Sequence, residues 1–351
     1  MSASAAPPIQ HAIRQLAMGA SLSEAESRAA FGAVMQGEAT QAQVAALLVG
    51  LRVKGETTDE VAGAADALRG AMVRLHADAP ADLVDTCGTG GGTIGTFNIS
   101  TAAALLVAGL GVRVAKHGNR SFTSQCGSAD VLEALGVPVE VSVEVMEHAL
   151  RVAGIVFMFA PLMHPAMRHV GPVRRELAIP TVMNIVGPLA NPAGAGRQVV
   201  GVADAKRVQL IAGALRALDT VHALVVHGEP GMDEVSPLGI THVVEIRDGA
   251  IREWTIDPAH YGFRAGDAAE LEGGPPAQNA AAVIAVLDGS APATATAAVV
   301  LNAAAGLYVS PGGPRDYGDA IDAARAGLVD GAGLRALERL RATQGGLLGA
   351  T

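Results

Sequence analysis

DTCGTGGGTIGTFNISTAAALLVAGLGVRVAKHGNRSFTSQCGSADVLEALG, residues 85–136, decides how the rest of the chain is read. The short run Leu83-Val84-Asp85 is strand-like and feeds a glycine-rich loop from Gly88 to Gly95. Asn98-Ile99-Ser100-Thr101 then precedes an apolar segment of helical length, Ala102 to Leu110. A β-like run, Val112-Arg113-Val114-Ala115, ends in Lys116-His117-Gly118-Asn119-Arg120. Two strand ends therefore bring a glycine loop, a helix N-terminus and a cationic cluster to one edge of a sheet. Backbone N–H groups free of side chains, a helix dipole and a lysine are the parts of an anion site.

Upstream, residues 8 to 75 read as four helices. Ser23-x-x-Glu26 and Thr57-x-x-Glu60 have the spacing of capping boxes. Thr40 opens a segment whose apolar residues Val44, Leu47, Leu48 and Leu51 recur at helical spacing, and Gly19, Gly37 and Gly55 sit at the expected stops. The unit carries little polar chemistry, so its apolar surface is expected to serve packing or dimerisation. Ala79-Pro80 reads as the linker.

Downstream, strand and helix alternate as in an α/β sheet: Val137 to Val141 (strand), Val143 to Ala153 (helix) and Ile155 to Phe159 (strand). Residues 163–192 break the alternation with proline-punctuated helical sequence, an excursion that can return to the helical unit. Strands are expected again at Gln198 to Val202 and Val221 to Val226, with a helix from Ala205 to Ala217 between them. Asp248-Gly249 joins the β-like runs Thr241 to Ile246 and Ile251 to Ile256 as a hairpin. From Pro275 onward the pattern is helical.

Composition narrows the function classes. A net charge of −9 argues against sequence-independent nucleic-acid binding, which needs a basic face. The two cysteines, Cys87 and Cys126, give neither a disulfide framework nor a zinc spacing, which points to a reducing compartment. The opening MSASAAPPIQHAIRQ lacks a basic stretch followed by an apolar one, so no secretory signal is read and a cytoplasmic location is expected. No apolar run is long enough to predict a membrane span.

Gly90-x-Gly92-x-x-Gly95 has the letters of a dinucleotide fingerprint, but the region about 20 residues on is basic where a ribose-binding acid belongs. No Gly-Lys-Ser/Thr follows the loop, so it is no Walker motif either. Asp233-Glu234, in a Gly/Pro-rich loop after an apolar strand, suits Mg²⁺ shared with a substrate phosphate; the pair also reads as a solvated acidic turn. Arg174 or Arg175 is fit to pair with a substrate carboxylate, or to lie on a helix surface. The residues alone imply a Mg²⁺-dependent enzyme acting on a phosphorylated small molecule, one expected to bear a diphosphate.

Taken as an ordered set, Gly88-Thr89-Gly90-Gly91, Asn98-Ile99-Ser100-Thr101, Lys116-His117-Gly118-Asn119-Arg120, Gly127-Ser128-Ala129-Asp130 and Asp233-Glu234 resemble the anthranilate phosphoribosyltransferases. His164-Pro165-Ala166-Met167, Val173-Arg174, Asn184 to Leu189 and Asn302-Ala303-Ala304 extend the resemblance over nearly the whole chain. It implies transfer of phosphoribose from 5-phosphoribosyl 1-diphosphate (PRPP) to the amine of anthranilate, in tryptophan biosynthesis. By the same resemblance, PRPP would be bound by Gly88, Gly91, Gly92, Thr96, Asn98, Ile99, Ser100, Thr101, Lys116, His117, Gly118, Asn119, Arg120, Ser121, Phe122, Thr123, Ser124 and Ser128. Anthranilate would meet Gly88, Asn119 and Arg174; Mg²⁺ would be held by Ser100, Asp233 and Glu234. No general base is assigned. The implied fold is a small all-helical N-terminal domain (1–78, joined by an excursion at about 165–190) beside a larger α/β domain (79–351). The larger domain would carry a mainly parallel sheet flanked by helices, and the PRPP and Mg²⁺ sites. A homodimer through the helical domain is the expected assembly, with neither nucleic acid nor membrane as partner. Two positions depart from the family pattern: Gly92 stands where the glycine loop usually ends in Asp, and Pro180 where relatives often carry Arg.

Overall fold

A computed structural model describes residues 7–121, 125–264 and 266–345. The chain forms two compact units. One comprises the chain up to Arg74, Pro161–Pro192 and Gln209–Asp219; the other comprises Leu75–Ala160, Ala193–Val208 and the chain from Thr220.

Four helices open the first unit: α1 (Pro8–Ala17), α2 (Glu24–Met35), α3 (Gln41–Lys54) and α4 (Thr58–Gly70). Three begin with a reciprocal cap, Ser23 with Glu26, Thr40 with Gln43 and Thr57 with Glu60, so local sequence sets their register. Gly19, Gly37 and Gly55 have positive φ just past α1, α2 and α3. Val44, Leu47, Leu48 and Leu51 form the buried stripe of α3. Glu60 is fully buried, and its carboxylate accepts from the backbone of Leu22 (2.9 Å) and Thr57 (2.8 Å) and from Lys54 Nζ (2.9 Å). The later segment is tied in by Arg69, whose Nε donates to the Leu189 carbonyl at 2.7 Å. Thr57→Ala removes the acceptor for the Glu60 N–H and is expected to destabilise α4 by about 1 kcal/mol. Hydrogen–deuterium exchange reads this as roughly fivefold faster exchange in the first turn of α4.

The second unit is built on a seven-stranded sheet in the order β3-β2-β1-β4-β5-β6-β7. Its strands are β1 (Val84–Gly88), β2 (Val114–Gly118), β3 (Ile155–Phe159), β4 (Arg197–Gly201), β5 (His222–Gly228), β6 (Thr241–Arg247) and β7 (Ala250–Ile256). The first five are parallel, and β6 and β7 complete one edge antiparallel. The sheet is therefore mainly parallel, as expected. Asp248 (φ 50°) and Gly249 (φ 78°) turn the hairpin, the left-handed pair such a turn requires. Helix α5 (Ile99–Gly109) is buried along almost its whole length and packs against the equally buried helix Ala293–Val309. Helices α6 (Ser128–Ala134) and α7 (Val143–Ala153) follow in chain order.

Two strand expectations need correction. Val137 to Val141 is not a strand: Val137, Val139 and Val141 are buried in alternation but join no ladder, and Pro138 has no N–H to offer one. Alternation there records burial, not pairing. Strand β2 starts at Val114, two residues later than read, so Lys116, His117 and Gly118 lie on the strand itself. No helix among the described residues is long and apolar enough to cross a membrane.

Candidate active site

From central β1 the chain goes to β2 on one side, and β4 pairs on the other. The strand order thus switches direction between β1 and β4, and the crevice beyond their carboxyl ends is where open α/β sheets bind ligands. Strands β1, β4 and β5 end in Gly88, Gly201 and Gly228, with Gly88 paired to Gly201. A Cβ at Gly88 would lie 2.7 Å from Asp233 Oδ2, one at Gly201 would overlap the Asp233 carbonyl, and one at Gly228 would lie 2.5 Å from the Glu234 carbonyl oxygen. The absence of side chains at three strand ends is what lets the Asp233-Glu234 loop lie across the sheet edge.

The glycine loop after β1 is fastened to the same place. Thr89 N–H donates to the Gly201 carbonyl (2.9 Å), Gly90 N–H to Asp233 Oδ2 (2.8 Å) and Thr93 N–H to the Gly231 carbonyl (3.0 Å). Gly90 and Gly91 adopt positive φ in this turn. At Gly92 a Cβ would begin 3.3 Å from Asp233 Oδ1, so glycine there keeps a further side chain off the acidic pair.

Both acidic side chains retain some exposed surface but lie deep among protein atoms. Burial raises the Asp233 pKa, although the Gly90 N–H opposes it. Burial and then neighbouring Asp233 push Glu234 up to about 8, against Lys116 and a hydrogen bond from the Ser100 backbone, which belongs to the first turn of α5. Lys116 is buried, with Nζ donating to the Thr86 carbonyl and to Ser100 Oγ (3.2 Å). Burial lowers its pKa, opposed by Asp85, Cys87 and Glu234. The Cys87 thiol is pushed well up by burial and then by neighbouring Asp85, against Lys116.

Two carboxylates that resist ionising without a counter-charge, next to a serine hydroxyl, make a hard-oxygen donor set suited to a divalent cation. Among the described residues, no group of three or more His, Cys, Asp and Glu is placed to hold a metal ion. A cation here would complete its shell with water and substrate oxygens, the usual habit of Mg²⁺.

The remaining expected site residues fall into distinct environments. Ile99 and Thr101 are buried in the first turn of α5, and Thr96 bridges to Glu272. The Asn98 side chain donates to the Cys126 carbonyl (3.3 Å) and accepts from Asn279 (2.9 Å). His117 N–H donates to Asp85 Oδ1 (3.2 Å). The Asn119 carbonyl accepts from the Ala129 N–H (3.2 Å) and from Ser128 Oγ (3.3 Å), joining Asn119 to the start of α6. Arg120 pairs with Asp130 (3.2 Å), Glu133 and Glu140 (3.1 Å) and lies over the Phe159 ring, so much of its charge is already matched within the fold. Asp130 Oδ2 accepts from both Ser121 N–H (3.0 Å) and Gly127 N–H (2.8 Å). Phe122, Thr123 and Ser124 lie outside the described residues. Arg174 sits on the helix Gly171–Leu177 of the first unit, half-buried, its pKa lowered by burial.

Gly201, Gly228 and Asn279 stand in no motif, and Asn302 only in one that carries the family resemblance. Glycines at strand ends and asparagines in apolar helices are the only local signal they leave.

The chain matches two family models, "Glycosyl transferase family, helical bundle domain" over residues 10–72 and "Glycosyl transferase family, a/b domain" over residues 80–334. It is 46% identical over 332 residues to the anthranilate phosphoribosyltransferase of Pelotomaculum thermopropionicum, covering 95% of each chain. The crystal structure of anthranilate phosphoribosyltransferase from Thermus thermophilus matches with a TM-score of 0.89 at 41% identity, over 95% of this chain and 99% of that one. The Saccharomyces cerevisiae enzyme in complex with PRPP and Mg matches with a TM-score of 0.86 at 25% identity, over 96% and 98% of the two chains.

Proposed function

The chain belongs to the anthranilate phosphoribosyltransferase family, and from that membership we propose that it transfers 5-phosphoribose from PRPP to the amine of anthranilate. The products are N-(5-phosphoribosyl)anthranilate and diphosphate, and the reaction serves tryptophan biosynthesis. The observation that carries this reading is the Asp233-Glu234 pair lying across the ends of β1, β4 and β5, beside the glycine loop and the first turn of α5.

Breaking the bond between C1 and the diphosphate builds positive charge on the ribose and negative charge on the leaving group. When bound, Mg²⁺ supplies charge neutralisation at the diphosphate, with Ser100, Asp233 and Glu234 to hold it. The backbone amides of Gly91 and Gly92 and the N-terminal turn of α5 bind phosphate oxygens. Lys116 adds a fixed cation behind Ser100, and fixed charges and dipoles need no reorganisation as the bond breaks. Thr96, Asn98 to Thr101 and His117 to Ser124, with Ser128, complete the PRPP site. The anthranilate amine is uncharged and already nucleophilic, so Gly88 and Asn119 serve to place it. Arg174 receives its carboxylate; its pKa, lowered by burial alone, suits a cation that gains an anionic partner when substrate arrives.

Arg174→Ala is expected to raise KM for anthranilate by about 5- to 150-fold, the equivalent of about 1–3 kcal/mol, with KM for PRPP little changed. Initial rates at varied anthranilate and fixed PRPP read this, and a selective rise in KM for PRPP would move Arg174 out of the acceptor site.

Residues 1–78, with the excursion at 165–190, act in this reading as the helical domain, and 79–351 as the domain holding PRPP and Mg²⁺. The division into two units and the two family matches support it. A cytoplasmic homodimer assembled through the helical domain completes the proposal, and analytical ultracentrifugation tests the dimer. The reaction itself is tested by diphosphate release: PRPP, Mg²⁺ and anthranilate together must release it. Turnover of uridine or thymidine with phosphate instead would assign the chain to the pyrimidine nucleoside phosphorylases.

A further inference from the structure

Helix Ala293–Val309 runs through the core with every residue from Ala297 to Leu307 buried. In the middle of this apolar run stands Asn302, 3% exposed. An amide there loses its hydration and persists only where its polar atoms find partners. All its donors do: Nδ2 gives one hydrogen bond to the Val235 carbonyl (2.9 Å) and one to the Ala298 carbonyl (2.9 Å). Oδ1 accepts the Val235 N–H at 2.9 Å. The side chain thus pairs with both main-chain polar groups of one residue, as a neighbouring strand would.

That residue directly follows Asp233-Glu234. Two adjacent carboxylates repel, and the turn that leads to them is closed on its N-terminal side, where Gly228 and Met232 exchange backbone hydrogen bonds (3.0 and 2.7 Å). From below, the strand-end glycines give the loop a floor. From the side, Asn302 fixes the main chain one residue beyond Glu234, and it lines the same small cavity as Ser100 and Glu234. The geometry points to Asn302 as a positioning residue for the divalent-cation site: by gripping Val235 it sets where Asp233 and Glu234 present their oxygens to the cation. This inference rests on the proposed cation site and goes beyond it, since the polar atoms of Asn302 are engaged by Val235 and Ala298.

The test uses the full chain with Asn302→Leu, similar in volume but without polar atoms, and Asn302→Ser, which creates no crowding and keeps one hydroxyl. Mn²⁺ is the probe, and free Mn²⁺ is followed by electron paramagnetic resonance in the presence of PRPP. Both variants are expected to bind Mn²⁺ about 10- to 100-fold more weakly, the range seen when the support of a metal ligand is removed. Their half-saturating Mg²⁺ for turnover rises in parallel, while KM for anthranilate changes little. Fluorescence of Trp254, the single tryptophan, checks that the α/β unit is folded at the assay temperature. Folded variants that bind Mn²⁺ as tightly as the parent overturn the inference, as does a fall in kcat with unchanged cation dependence. If Asn302→Leu does not fold, Asn302→Ser decides alone. If the parent chain binds no Mn²⁺ with PRPP present, the proposed cation site fails and the role of Asn302 fails with it; parent binding with unaffected variants removes Asn302 only.

Discussion

Asp233→Asn combined with Glu234→Gln removes Mg²⁺-dependent turnover, by at least about 10³-fold, and leaves the chain folded. The loss follows from the donor set: these are the two charged oxygen ligands proposed for the cation, and neutral amides bind a hard divalent ion far more weakly. Retention of the fold follows from the same environment. Burial makes both carboxylates harder to ionise in the folded chain, with Glu234 pushed up to about 8. A raised carboxyl pKa means that, above the usual carboxylate range, the folded state holds protons that the unfolded chain has lost. Stability without divalent cation therefore falls as pH rises from the ordinary carboxylate value toward about 8. The double variant lacks these groups and should lose that slope, melting at or above the parent temperature near neutral pH. The Asp233→Asn change keeps an amide oxygen to accept from the Gly90 N–H, so the glycine loop stays fastened. Initial rates and thermal melts across pH, both with EDTA controls, read the two halves of the prediction, and a parental kcat would remove the pair from the mechanism.

Gly201→Ala is the second large effect, although residue 201 carries no functional group. A methyl there overlaps the carbonyl oxygen of Asp233 and lies 2.4 Å or less from its carbonyl carbon and oxygen. The clash falls on backbone, which cannot swing aside as a side-chain end can. Nor can Gly201 retreat, because β4 is hydrogen-bonded on both sides, to β1 and β5. The acidic loop must lift from the strand ends, carrying both carboxylates away from Ser100. We expect turnover to fall by at least about 10²-fold, since a misplacement of about 1 Å is enough for that, and stability to fall by about 1–3 kcal/mol or more. Gly32→Ala on α2 is the control: a Cβ there meets nothing within 4 Å, and alanine is the better helix former. Near-parental turnover by Gly201→Ala would mean that the acidic loop need not rest on the strand ends.

Features encoded within a few residues were legible in the sequence. The capping pairs Ser23/Glu26 and Thr57/Glu60 and the Asp248-Gly249 turn are each closed by neighbours in the chain, and the structure has all three. Helix α7 and strand β3 have the bounds read from their pattern. Val137 to Val141 misled because period-two burial arises wherever an extended segment crosses a core, with or without a ladder. The chemistry at Asp233-Glu234 was legible as residue type, but its support was not. Gly88 and Asp233 meet across more than a hundred residues, and so do Thr89 and Gly201. Asn302 reaches Val235 across a separation of 67. Arg120 likewise reads as a free cation until Asp130, Glu133 and Glu140 fold around it. Such contacts depend on topology, and no local pattern carries them.

The most direct test is the fluorescence of anthranilate over time, with PRPP and Mg²⁺ added and EDTA as control. A decay that requires both PRPP and Mg²⁺ and stops on addition of EDTA is expected. Steady anthranilate fluorescence with PRPP bound would contradict the acceptor, and failure to bind PRPP would contradict the phosphoribosyl site itself.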